Sequence, residues 1–218
     1  KCGVAGIVML GTTAETPTLT KEEQIKIAKL AIEIAKGKVE VVIGTGSNST
    51  LHAIENTKKA KELGADSVLV VTPYYNKPTQ EGIYLHFKEL CKIEIPICVY
   101  NIKGRTGVNI ETATLKRIAG LPNIIAVKEA SGDINQMIDV LKEIPSLDVL
   151  SGDDGMTLPL MSLGGKGVVS VVSNLVPAKI VEMVEFALNG DFEKARKHHF
   201  ELLPLFKGAF IETNPIPI

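Results

Sequence analysis

Seven short apolar runs recur along the chain, and segments of helical period separate each from the next. The runs fall at residues 5–10, 39–43, 67–71, 97–100, 124–127, 148–150 and 167–172. None alternates apolar with polar residues, so they read as strands buried on both faces, the mark of a parallel sheet covered by helices. The segments between them, at 21–36, 51–63, 82–91, 110–119, 134–144, 157–163 and 178–188, carry apolar residues at helical spacing. Thr20 followed by Glu23 reads as a capping box before the first helix. Gly64 and Gly190 sit where two helices should stop.

Repeated strand–helix units leave two architectures, an open doubly wound sheet and a (β/α)8 TIM barrel. The residues after each strand favour the barrel. They are Gly11-Thr12-Thr13, Gly44-Thr45-Gly46-Ser47, Thr72-Pro73-Tyr74-Tyr75-Asn76, Tyr100-Asn101, Lys128-Glu129, Ser151-Gly152-Asp153-Asp154 and Ser173-Asn174. An open sheet concentrates its site at one switch point, whereas a barrel gathers every strand end around one mouth. The expected fold is therefore α/β, one barrel domain over residues 1–218. A closed barrel has eight strands in about 250 residues. Seven runs in 218 residues, with both termini passing straight into apolar sequence, predict a barrel truncated at both ends.

Composition removes several functions. Lys and Arg number 24 against 25 Asp and Glu, a net charge of −1, which argues against a non-specific nucleic-acid binder or a basic membrane-facing surface. No apolar run approaches the roughly 20 residues that span a bilayer. Cys2, Cys91 and Cys98 read as free thiols of a cytoplasmic protein, not as a disulfide frame or metal cage.

Lys128 is the most telling residue, because its stem leaves a buried strand at the mouth. Desolvation there disfavours the ammonium and makes the amine a usable nucleophile. The plainer alternative is a strand-ending lysine that snorkels to water. Tyr100 ends another strand and can shuttle protons near a forming imine, or can simply pack its ring and bond its hydroxyl locally. Thr12 and Thr13 offer two hydroxyls and free N–H groups, which suit a carboxylate and equally suit turn chemistry. Arg105, on the loop after Tyr100, suits a bidentate carboxylate clamp or a solvated surface. Tyr74 and Tyr75 put adjacent aromatics on a loop, as interfaces and sites both do.

Other signals are weaker. Gly44-Thr45-Gly46-Ser47-Asn48-Ser49 opens like a dinucleotide fingerprint but has serine in place of the third glycine. Asp153-Asp154 can ligate Mg²⁺ or cap the helix that follows. His198 and His199 are adjacent on a helical stretch and face different directions, so they do not chelate. No metal site is predicted.

Three motifs taken together resemble the dihydrodipicolinate synthase family of pyruvate-dependent class I aldolases. They are Gly11-Thr12-Thr13-Ala14-Glu15, the run from Tyr100 through Asn101-Ile102-Lys103-Gly104-Arg105-Thr106-Gly107, and Val127-Lys128-Glu129-Ala130. The 72–78 and 151–154 motifs and the closing Asn214-Pro215-Ile216-Pro217 match as well. The resemblance implies a lyase that condenses pyruvate with L-aspartate 4-semialdehyde in lysine and diaminopimelate biosynthesis, without metal or organic cofactor. It implies Lys128 as the Schiff-base lysine and Tyr100 as the proton donor and acceptor, with Thr12 and Tyr75 in its relay. Tyr75 would reach in from a neighbouring subunit of a tight dimer, itself half of a homotetramer. Thr13 and the backbone at Val169 would bind pyruvate, and Arg105 would receive the semialdehyde.

The resemblance also aligns run 5–10 with the family's second strand, so the first strand and the C-terminal helices are expected to be missing. Two departures stand out, Ala14 where the family prefers glycine and Lys103 where it prefers proline. Related alternatives are a neuraminate-type or sugar-acid aldolase and a non-catalytic barrel fragment. In lysine-inhibited members two histidines and an acidic residue line the regulatory pocket. Lys21, Gln24 and His52 stand at those positions here, while Asn48 and Tyr74 are kept.

Overall fold

A computed structural model of the chain describes residues 2–218. Its strands are β1 (Gly6–Met9), β2 (Glu40–Gly44), β3 (Ser67–Val71), β4 (Ile97–Asn101), β5 (Ile124–Glu129), β6 (Asp148–Ser151) and β7 (Gly167–Val168). They form one parallel sheet in chain order, with β1 and β7 at its two edges among the described residues. The sheet curls as a half-barrel. Helices α1 (Lys21–Ala35), α2 (Thr50–Leu63), α3 (Gln80–Leu90), α4 (Lys103–Thr106), α5 (Thr112–Ala119), α6 (Ile134–Glu143), α7 (Thr157–Ser162), α8 (Pro177–Leu188) and α9 (Phe192–Gly208) run between and after the strands.

Two apolar layers explain why the strands read as continuous runs. On one face Leu69, Cys98, Tyr100 and Ala126 pack together inside the curl. On the other, Val68, Val70, Ile97, Val99 and Val127 pack against helix residues such as Ile83, Phe87, Leu115 and Ile118. Successive strand residues point to opposite faces, so neither set can be polar. Each fully buried Leu, Ile or Phe contributes about 1.5–3 kcal/mol relative to exposure.

The caps behave as the sequence predicts. The Thr20 hydroxyl accepts the Glu23 N–H and the Glu23 carboxylate accepts the Thr20 N–H, a complete capping box. Gly64 ends α2 in the left-handed conformation. Ala14 stays out of that region, and the left-handed angle falls on Glu15 instead.

Most element boundaries fall within one or two residues of expectation, and the last strand departs by more. The last strand is two residues long rather than 167–172, because the Asp154 carboxylate takes the N–H groups of Val171 and Val172 and turns the chain into a short helix. Helix α5 begins at Thr112 rather than at 110, because Glu111 is extended and serves as its N-cap. The segment holding Arg105 is one helical turn, α4, rather than a loop. On α9, Phe206 is buried against α8 while Phe200 is 63% exposed.

Candidate active site

Strand register brings the two most reactive candidates together. Tyr100 on β4 lies directly opposite Lys128 on β5, and the Lys128 Nζ sits 4.1 Å from the centre of the Tyr100 ring. Lys128 is 8% exposed, so it does not snorkel to water. Burial pulls its amine down to about 8; Arg105 acts in the same direction, while Asp154 opposes it. A substantial neutral fraction near pH 8 is what a nucleophilic amine requires.

Burial pushes the Tyr100 phenol up to about 12, against the opposing influence of the nearby Thr12 hydroxyl and of Arg105. Tyr100 therefore stays protonated at neutral pH, a hydroxyl able to give and recover a proton. Cys98, on the same inner face, is likewise raised to about 12 by burial and remains a thiol. It packs; it does not react.

Glycine makes room for the lysine. A Cβ placed on Gly152 would lie 2.6 Å from the Ala130 Cβ and 3.1 Å from the Lys128 Cε. Only the missing side chain lets the β6 end approach the Lys128 stem this closely.

Thr13 and Arg105 come from opposite ends of the site and meet at a residue that nothing local picks out. The Asn214 amide donates to Thr13 Oγ1 at 3.2 Å, and the Asn214 carbonyl accepts from the Arg105 guanidinium at 2.6 Å. Asn214 belongs to the closing motif, yet its partners lie 201 and 109 residues away along the chain. The Val169 N–H donates to the Ser151 carbonyl at 2.9 Å, which fixes the backbone of that position beside the end of β6. Tyr75 stands apart from this cluster within one chain: it is 89% exposed, with a φ of 73°.

Asp153 and Asp154 act as caps. Asp153 accepts the Gly155 N–H, and the buried Asp154 carboxylate accepts the N–H groups of Val171 and Val172 and the Ser170 hydroxyl. Among the described residues, no group of three His, Cys, Asp or Glu side chains is placed to hold a metal ion.

A buried lysine of lowered basicity, paired in register with a protonated tyrosine, is an arrangement in which a neutral amine can add to a carbonyl beside a proton donor. The sequence matches the Dihydrodipicolinate synthetase family over residues 1–218. The chain belongs to that family. It is 57% identical to the 4-hydroxy-tetrahydrodipicolinate synthase of Protochlamydia amoebophila, over 99% of this chain and 73% of that protein. Among solved structures, dihydrodipicolinate synthase from Aquifex aeolicus superposes with a TM-score of 0.96 at 48% identity, covering 99% of this chain and 74% of that one. The Acinetobacter baumannii dihydrodipicolinate synthase, solved in complex with pyruvate, superposes with a TM-score of 0.97 at 42% identity, covering 99% and 75%. Among the described residues no helix is long and apolar enough to cross a membrane.

Proposed function

We propose that this chain condenses pyruvate with L-aspartate 4-semialdehyde to 4-hydroxy-tetrahydrodipicolinate through a Schiff base on Lys128. The reaction is the lyase step that leads toward lysine and diaminopimelate. The buried Lys128 amine beside Tyr100 is the observation that carries this reading, in a chain whose relatives bear the name of that synthase.

The neutral Lys128 amine adds to the keto carbon of pyruvate, and the carbinolamine loses water to give the imine. Loss of a methyl proton then gives an enamine. Its carbon attacks the aldehyde carbon, forming the new C–C bond while the aldehyde oxygen takes a proton. The amine of the semialdehyde adds to the imine carbon, closes the ring and expels the Lys128 amine. One water leaves for each pair of substrates joined, and the route calls on no metal or organic cofactor.

Tyr100 passes protons among carbinolamine, water and alkoxide, with Thr12 as its nearest relay partner in the chain. The Thr13 hydroxyl and N–H donate to the pyruvate carboxylate, the backbone at Val169 completes the pyruvate-binding positions, and Arg105 takes the carboxylate of the semialdehyde. Tyr75 completes the relay from a second copy of the chain. Its outward position supports that role, as does the bond from the Asn76 amide to the Asn48 carbonyl at 3.0 Å, which seats its loop on the next one. The assembly is then a homo-oligomer, a tight dimer paired into a tetramer, working in the cytoplasm. The seven-stranded curl is read as seven of the eight strands of a (β/α)8 barrel, which the greater length of the relatives supports.

Reduction with borohydride in the presence of pyruvate tests the reading, with peptide mass spectrometry to locate the adduct. The adduct is expected on Lys128 and should vanish in Lys128→Ala, which should also lose nearly all turnover. An adduct on a different lysine, or none, overturns it.

A further inference from the structure

We propose that Asn101, oriented by Glu129, is a positioning residue for this reaction, locking Tyr100 and Lys128 to each other and to the turn that carries Arg105. The inference rests on the function proposed above and concerns the face of the sheet behind the reacting groups.

Register pairs Tyr100 with Lys128 and, one step on, Asn101 with Glu129. Successive residues alternate faces, so the reacting pair lines the inside of the curl while Asn101 and Glu129 point at the helices. Both are fully buried, each at 0% exposure. Asn101 Nδ2 donates to Glu129 Oε2 at 3.1 Å and to Asn109 Oδ1 at 2.9 Å. Its Oδ1 accepts the Ile110 N–H at 3.1 Å, and its carbonyl accepts the Ala130 N–H at 2.9 Å. The Asn101 side chain thus ties the far end of the segment 102–110, within which Arg105 sits, back to the residue from which the segment starts.

The network continues outward without a gap. Asn109 Nδ2 donates to Gln136 Oε1 at 2.7 Å, and Gln136 Nε2 returns a bond to the Ile110 carbonyl at 2.9 Å. Gln80 Nε2 donates to the Asn109 carbonyl at 2.8 Å. The arginine segment is fastened to β5, α6 and α3 through the Asn101 amide and its immediate neighbours.

Glu129 fixes which way that amide faces. The carboxylate only accepts, and it already takes the Ser131 N–H at 2.7 Å, so it must receive Asn101 Nδ2 and leave Oδ1 for Ile110. No Lys or Arg lies within ion-pairing distance of Glu129 among the described residues. A buried carboxylate without a cation is a costly way to stabilise a fold. Its return here is orientation.

The test uses Asn101→Ala, Asn101→Asp, and Asn101→Asp combined with Glu129→Gln. Turnover, KM for each substrate and the rate of pyruvate trapping on Lys128 are measured at several pH values, beside a thermal melt. Asn101→Ala should keep a cooperative melt yet lose roughly a hundredfold in kcat and raise KM for the semialdehyde more than for pyruvate. Asn101→Asp sets two carboxylates against each other, so its turnover relative to the unaltered protein at the same pH should be lowest at neutral and higher pH and should partly recover at lower pH, where the pair shares a proton. Adding Glu129→Gln restores one donor and one acceptor in the reverse sense and should recover about tenfold of the lost kcat. This rescue still decides the matter if Asn101→Ala does not fold. Full turnover in Asn101→Asp, or a double variant no better than Asn101→Asp alone, overturns the positioning role. If the unaltered protein fails to trap pyruvate on Lys128, the function falls and the positioning role with it; the two failures are told apart by which protein shows them.

Discussion

Lys128 lies opposite Tyr100 in the β4–β5 ladder, its amine 4.1 Å from the centre of the phenol ring. That contact makes the pH dependence of the site predictable. Burial lowers the amine to about 8 and raises the phenol to about 12, so between those values the pair is a neutral amine and a neutral hydroxyl. The rate of pyruvate trapping on Lys128 should rise with pH to a plateau with a midpoint near 8. A midpoint near the ordinary lysine value would show that burial does not activate it. The stability effect has the same sign. The folded chain gives up the Lys128 proton at lower pH than the unfolded chain, so this group's contribution to stability grows as pH rises from about 8 toward 10.5.

Arg105 is held at its tip by the Asn214 carbonyl, which leaves the rest of the guanidinium fork to meet a carboxylate. Replacing Arg105 with alanine should cost about 2–5 kcal/mol of transition-state binding for the semialdehyde. Pyruvate trapping should survive the change. Comparing kcat/KM for a charged aldehyde and an uncharged one checks the clamp, and equal losses for both would rule it out.

Gly152 should tolerate no side chain. The methyl of Gly152→Ala would press on Ala130 and on the Lys128 stem, destabilising the fold by about 1–3 kcal/mol and swinging the amine away from Tyr100. Melting temperature and trapping rate should fall together. Adding Ala130→Gly removes the nearest clash and should restore part of both; no recovery would mean that the strain lies elsewhere.

Inhibition by L-lysine should be weak or absent. Gln24 spends its amide donors on the carbonyls of Thr16 and Leu19, and the Lys21 amine donates to Asn56 Oδ1 at 2.8 Å. A lysine ligand would meet a cation at Lys21 and no carboxylate at His52, so its ammonium gains no ion pair. Turnover measured against rising L-lysine decides this, and strong inhibition at submillimolar concentration would contradict it.

Much of this protein is written along the chain itself. Buried parallel strands need apolar residues on both faces, and helices lying over them need one apolar stripe, so the βα rhythm is visible without any structure. A lysine and a tyrosine directly after such strands must lie at the same end of the sheet, which is why Lys128 and Tyr100 stand out. The Thr20–Glu23 cap and the Gly64 stop are equally local, since every partner lies within one helical turn. Periodicity reports which side of its own element a residue faces; it carries no information about which distant group waits there. Asn214 meets Thr13 and Arg105 only after the chain has curled round, and Asp154 ends β7 only because β6 brings its carboxylate beside Val171. Asn101 and Glu129 look like two polar residues at strand ends until the register puts them side by side behind Tyr100 and Lys128. Hydrogen bonds across such separations form only once folding has already met the entropic cost of closing the chain, so only the tertiary structure decides them.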